Sequence, residues 1–182
     1  MSIELKYDSV AALVAAAEKA GEPISALVLR QQAAQLEKTE QEVYDQMAET
    51  YKVMAACIEP GCAEDLRSTS GLTGGSAFKM RRAVESGKTL TGGVLGGALY
   101  RALAVSELNA AMGRVVAAPT AGSCGILPAA LLTMQNDLGC SEQDCVMALF
   151  TASAVGMVIA TNACVAGAQG GCQAECGSAA AM

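Results

Sequence analysis

From Cys145 to Ala174 the chain carries no charged residue, and no other feature restricts its fold so strongly. A stretch this long without charge must be buried in protein, immersed in lipid or covered by another chain. Lipid is the poorest fit. The run holds Thr151, Ser153, Thr161, Asn162, Gln169, Gln173 and four glycines, and no Lys or Arg flanks it to set a topology. It reads as a buried helix rich in small residues, followed by a glycine loop, and no membrane span is expected. Charge is spread unevenly over the rest as well. All twelve Lys and Arg lie within residues 1–114 alongside fourteen acids, whereas the residues after Arg114 hold four acids and no base. The ending Gly177-Ser-Ala-Ala-Ala-Met182 starts a helical run and stops without a cap. The expectation is a truncated chain, or one that needs another chain over its most apolar stretch.

There is no histidine among the 182 residues. This excludes a Ser-His-Asp triad, a Cys-His pair, a zinc site built on imidazole and a histidine general base within the chain. Acid-base work falls to carboxylates, Lys, Tyr, Cys or a partner. A net charge of -6 argues against nucleic acid and anionic membrane surfaces, which ask for a clustered Lys/Arg footprint. The N-terminus Met-Ser-Ile-Glu-Leu-Lys shows neither a basic nor an apolar leader region, so the expected compartment is the reducing cytoplasm. There the 8 cysteines are free thiols or metal ligands rather than bridges.

Helical periodicity dominates the pattern, and strand signals are poor. Val10, Leu13, Val14 and Ala17 mark a first helix after Asp8-Ser9 that stops at Gly21. A second runs from Pro23 to about Lys38. A capping box, Thr39-Glu-Gln-Glu42, opens a third, whose face is Val43, Met47, Tyr51, Met54 and Ile58, up to a break at Pro60-Gly61. Ser76 is the expected cap of a helix reaching Gly87, and Gly92 to Met112 forms another. Pro128 marks a further helix start, and Ser141-Glu-Gln-Asp144 precedes a helix over Val146 to Ala160. The fold class is therefore all-α, an Ala- and Gly-rich helical bundle.

Three segments interrupt the helices: 66–75, 119–125 and 161–177. Each is rich in Gly and hydroxyl or amide side chains, and backbone amides and hydroxyls gathered in this way suit a small anion. Neither Gly71-Leu-Thr-Gly-Gly75 nor Gly122-Ser-Cys-Gly125 is followed by Gly-Lys-Ser/Thr, so a nucleotide P-loop is excluded. Cys57, Cys62, Cys140, Cys145 and Cys164 fall in helical contexts and read as small apolar residues. Cys124, Cys172 and Cys176 fall in the loops, where a thiolate could reach an iron-sulfur cluster.

The segments Ser70-Gly-Leu-Thr-Gly-Gly75, Asn109-Ala-Ala-Met-Gly113, Ala118-Pro-Thr-Ala-Gly-Ser-Cys-Gly-Ile-Leu-Pro-Ala-Ala130 and Gly170-Gly-Cys-Gln-Ala-Glu-Cys-Gly-Ser178 occur in this order. They resemble the iron-sulfur-dependent L-serine dehydratases, in particular their alpha chain. The resemblance implies a single helical catalytic domain of which residues 1–182 are the N-terminal portion, conversion of L-serine to pyruvate and ammonia without pyridoxal phosphate, and a [4Fe-4S] cluster whose open iron acts as a Lewis acid on the substrate hydroxyl. It also implies a beta chain or domain as partner, an oligomeric assembly, and a place in serine catabolism.

The family's first cluster ligand falls on Cys172. Its other two belong to a Cys-Asp-Pro-Val...Pro-Cys segment that this sequence does not reach, so the chain alone is expected to hold no cluster and to be inactive. Cys124 and Cys176 take no ligand role from the resemblance. For the substrate carboxylate the expected cradle is Ser70, Gly71, Thr73 and Gly74, with Ser123 lining the same pocket. No base is identified: Lys79, Glu175 and residues from elsewhere stay open. Two rival readings are a related β-eliminating lyase such as a cysteine desulfidase, and a noncatalytic helical interaction module.

Overall fold

A computed structural model describes residues 7–182; every regular element among them is helical. Three helices open the chain: α1 (Val10–Ala20), α2 (Ile24–Leu36) and α3 (Glu40–Ala56). A single turn, α4 (Ile58–Gly61), leads to α5 (Ser76–Glu85) and α6 (Gly92–Ala110). After a short 3-10 turn at Ala121–Ser123 come α7 (Ile126–Leu138), α8 (Glu142–Asn162) and α9 (Gly167–Ala181).

Local chemistry explains most of the boundaries. The Ser9 hydroxyl accepts from the Ala12 amide at 3.1 Å at the start of α1, and Gly21 ends it in the left-handed conformation. At α3 the expected capping box forms in both directions. The Thr39 amide donates to the Glu42 carboxylate at 2.8 Å, and the Glu42 amide donates to the Thr39 hydroxyl at 3.2 Å.

The described residues pack into two compact units, with the division falling inside α3. One unit comprises the residues through Glu49 together with Glu142–Met182; the other is Thr50–Ser141. In the first, α8 packs on α2, α1 lies against both, and α9 leans on α8. Cys145, Val146, Leu149, Phe150, Ala152, Ala154 and Val158 give α8 a buried face. By length and composition α8 is also apolar enough to cross a membrane. In the second unit α6 is the centre, with α4, α5, α7 and the 3-10 turn all packing on it.

The only two charged residues of α6, Arg101 and Glu107, are both buried, and each has a built partner. Arg101 donates to Thr133 Oγ1 at 2.8 Å and to both Asp137 oxygens at 2.6 and 3.2 Å, fastening α6 to α7. Burial works to lower the Arg101 pKa, but the hydrogen bond to Asp137 and the nearby negative charge outweigh it and leave the pKa raised. Tyr51, almost wholly enclosed, donates its hydroxyl to Gln135 Oε1 at 2.7 Å and ties the end of α3 to α7.

Four expectations are corrected. Residues 167–177, expected in a loop, belong to α9, which continues through Ala181. Gly171, at φ 75° and ψ 177°, breaks the helical path inside it, and the Ala-rich turns beyond keep their helix because Ser178 and Ala179 are buried. Ser76 is the first helical residue of α5 rather than its cap; Gly75 takes the cap position without a side chain to offer. The third helix ends at Ala56, and Pro60 sits inside the separate turn α4, where its missing N–H leaves no bond unmade. The helix around Pro128 already begins at Ile126, with the proline in its first turn.

Candidate active site

Two of the glycine-rich loops converge on the last turn of α6, within the second unit. Thr69 donates to the Ala110 carbonyl through both its amide, at 3.0 Å, and its hydroxyl, at 3.3 Å. One turn earlier the Glu107 carboxylate accepts from the Ser76 amide at 2.8 Å and from the Ala77 amide at 3.2 Å. These are the first free N–H groups of α5, so a carboxylate from another helix does what a local cap would do, aided by the positive end of the helix dipole. Between them, Asn109 donates from Nδ2 to the Ala121 carbonyl at 3.1 Å and holds the 118–125 loop.

The 68–75 loop is tied to itself as well. The Ser68 amide donates to the Thr73 carbonyl at 2.9 Å, the Gly71 amide to the Ser68 carbonyl at 2.8 Å, and the Thr73 amide to the Ser68 hydroxyl at 3.2 Å. The Ser70 hydroxyl bonds to that of Ser68 at 3.1 Å. The result is a small closed ring with Ser70, Gly71 and Thr73 on its exposed rim and Gly74 half-buried behind them. Gly74 is required twice over: its φ is 139°, and a Cβ there would lie 2.1 Å from the Leu66 carbonyl oxygen. Hydroxyls fixed by such a scaffold lose little freedom on meeting a carboxylate, which is how preorganised donors gain affinity.

The second loop is arranged differently. Its Ala118–Pro119 peptide bond is cis. Ser123 is buried, and its hydroxyl donates to the Ala118 carbonyl at 3.1 Å while bonding with Thr120 at 3.2 Å. The structure therefore places Ser123 beneath the turn, with its side chain committed to holding it. Neighbouring Cys124 is enclosed, and burial pushes its thiol up to about 11, away from thiolate chemistry. Burial likewise raises Cys57 and Cys62.

Cys172 lies in the other unit, on α9 directly after the break at Gly171, and is exposed. Its sulfur is 3.6 Å from that of Cys176, and this hydrogen bond, followed by partial burial, raises the Cys176 thiol pKa. A four-iron cluster takes three or four thiolates. Among the described residues no group of three or more His, Cys, Asp or Glu side chains stands together as a metal site. Cys172 and Cys176 alone are fewer thiolates than such a cluster takes.

Glu107 escaped sequence reasoning. The available signal was its place in α6, an otherwise almost uncharged helix in which an isolated acid needs a partner. Lys79 is exposed on α5.

The fold and these loops define an all-helical protein that presents two glycine-rich loops from the end of one central helix. More narrowly, the chain belongs to the serine dehydratase alpha chain family, whose model it matches over residues 19–182. It is 42% identical over 159 residues to the probable L-serine dehydratase, alpha chain, of Bacillus subtilis, covering 87% of this chain and 53% of that protein. To the L-serine dehydratase, alpha chain, of Peptoniphilus asaccharolyticus it is 36% identical over 156 residues, covering 86% and 53%. To L-serine dehydratase 1 of Escherichia coli it is 33% identical over 192 residues, covering 100% and 41%. The chain thus spans about half the length, or less, of these curated relatives. The resemblance carried by the motifs is borne out.

Proposed function

We propose that the chain is the substrate-binding part of an L-serine dehydratase that converts L-serine to pyruvate and ammonia in the cytoplasm, working with a beta chain or domain in an oligomeric enzyme. The observation that carries this reading is the family match over residues 19–182, which includes both loops held by α6. In this reading the ring of Ser70, Gly71, Thr73 and Gly74 receives the substrate carboxylate, with the Ser70 and Thr73 hydroxyls as donors and Gly71 and Gly74 shaping the turn that presents them. Ser123 and Asn109 keep the neighbouring turn in shape, and Glu107 keeps the α5 end of the ring in place.

Cys172 supplies one thiolate to a [4Fe-4S] cluster whose other ligands lie outside this chain, and pyridoxal phosphate takes no part. When bound, the cluster supplies a Lewis acid for departure of the substrate hydroxyl.

The test is the assembled enzyme, reconstituted with iron and sulfide without oxygen and assayed for pyruvate from L-serine and from L-cysteine. Ser70→Ala and Thr73→Val should each raise KM for serine about tenfold, the loss expected for one hydrogen bond to a charged group. A strong preference for L-cysteine would replace the reading with a desulfidase, and unchanged KM in both variants would remove the ring from the carboxylate site.

A further inference from the structure

Cys172 and Cys176 stand one helical turn apart on α9 with their sulfurs 3.6 Å from each other. We infer that they form a redox pair which closes to an intrahelical disulfide by exchange with a low-molecular-weight disulfide such as oxidised glutathione. Four residues along a helix separate the Cα atoms by roughly 6 Å, inside the range a disulfide spans. The sulfurs must approach to ~2.05 Å, and the flanking backbone allows it. Gly171, already non-helical, precedes the pair, Gly177 follows it, and neither has a heavy atom within 4 Å of where a Cβ would stand.

The other thiols are placed less well for this reaction. Cys57, Cys62, Cys124 and Cys145 are buried, and Cys140 is half-buried. Cys164 is exposed, but its sulfur donates to Gln169 Oε1 at 3.2 Å. Cys172 is exposed and next to a resolving thiol, the arrangement that favours exchange over a lasting adduct.

The exchange proceeds in two balanced steps. Cys172, as the thiolate, attacks one sulfur of the small disulfide; the S–S bond breaks, a mixed disulfide forms and one small thiol leaves with the proton Cys172 gave up. Cys176, deprotonated in turn, attacks the Cys172 sulfur, forms the protein disulfide and expels the second small thiol. Two electrons pass from the cysteine pair to the small disulfide, which leaves as two thiols. If Cys172 is the cluster ligand proposed above, the closed form cannot bind iron; that consequence rests on the dehydratase reading, whereas the pair itself does not.

The full chain, reduced and freed of reductant without oxygen, is incubated with oxidised glutathione, acid-quenched, and its thiols counted after unfolding and mapped by peptide mass spectrometry. Free thiols should fall from eight to six, with the loss confined to a peptide holding both Cys172 and Cys176 and no glutathione retained. Cys176→Ser should instead keep glutathione on Cys172, and Cys164→Ser should leave the pairing unchanged. A lasting glutathione adduct on Cys172 in the unaltered chain, a Cys172–Cys164 or interchain bridge, or no loss of thiols would each overturn the inference. Because the readout is neither activity nor cluster content, its failure leaves the dehydratase reading standing, and the reverse also holds.

Discussion

The loops held at the end of α6 and the first half of α9 are both rich in glycine and behave in opposite ways. Around α6, the Gly/Ser loops are fastened by groups of one helical turn: the Glu107 side chain on the α5 amides, the Asn109 side chain on the Ala121 carbonyl, and the Ala110 backbone carbonyl under Thr69. Along α9, Gly167, Gly170 and Gly171 lie in a segment that keeps a helical course apart from one break, and residues 168–173 are exposed. Glycine permits both outcomes because it imposes little of its own. What decides is whether neighbouring groups make bonds that only a loop can satisfy. A Gly-rich segment with long-range hydrogen-bond partners becomes a fixed ring, and one without them falls back on its own i to i+4 bonds.

The sharpest way to break this comparison is one substitution made in both places. Gly74 and Gly171 both have positive φ, yet a Cβ at Gly74 meets the Leu66 carbonyl oxygen at 2.1 Å whereas at Gly171 nothing lies within 4 Å. Gly74→Ala should destabilise by about 3 kcal/mol or force the ring open, since strain and a backbone clash add. Gly171→Ala should cost less, about 2 kcal/mol, because φ 75° and ψ 177° form a backbone conformation nearly reserved for glycine but no clash is added. Chemical denaturation of the two variants reads the difference, and equal losses would mean the ring is no more constrained than α9.

The bond from α6 to α5 comes next in size. Glu107→Leu strands two N–H groups in a buried helix end and should cost about 2 kcal/mol, while Glu107→Gln, which keeps one acceptor oxygen, should lose about half as much. If Leu is tolerated as well as Gln, the carboxylate is not what anchors the loop.

These cases also explain what the residues alone made legible. Ser9, Gly21 and the Thr39–Glu42 box act within three or four positions of themselves, so the start and end of α1 and the start of α3 followed from local pattern. The all-helical class followed from summed periodicity. The cap of α5 did not, because its partner is 31 positions away from Ser76 and only the packing of α5 on α6 brings them together. Ser123 illustrates the same gap from the other side. A serine in a glycine loop reads as a donor for ligand, but a buried hydroxyl must find a partner, and here the Ala118 carbonyl is in reach. The motif order was enough to place the loops in a family, yet which hydroxyls face outward depended on the hydrogen-bond closure of each ring.

The local cap at α3 supplies the smallest effect and the cleanest control. Hydrogen bonds from the Thr39 amide and hydroxyl hold the Glu42 carboxyl below the usual glutamate range. A folded-state pKa lowered in this way adds stability that is present above the unfolded value, about 4.3, and disappears as pH falls through the folded value. The difference in stability between the unaltered chain and Glu42→Gln should therefore be small, constant from neutral pH down to about 5, and shrink towards zero below about 4. Taking the difference removes the titration of the other acids. By contrast, the Glu107 variants should stay destabilised throughout the neutral range by the larger margin. If the Glu42 difference matched the Glu107 difference in size, a surface cap made within one turn would be worth as much as a buried one made across the fold, and the distinction between locally and remotely fixed helix ends would lose its energetic basis.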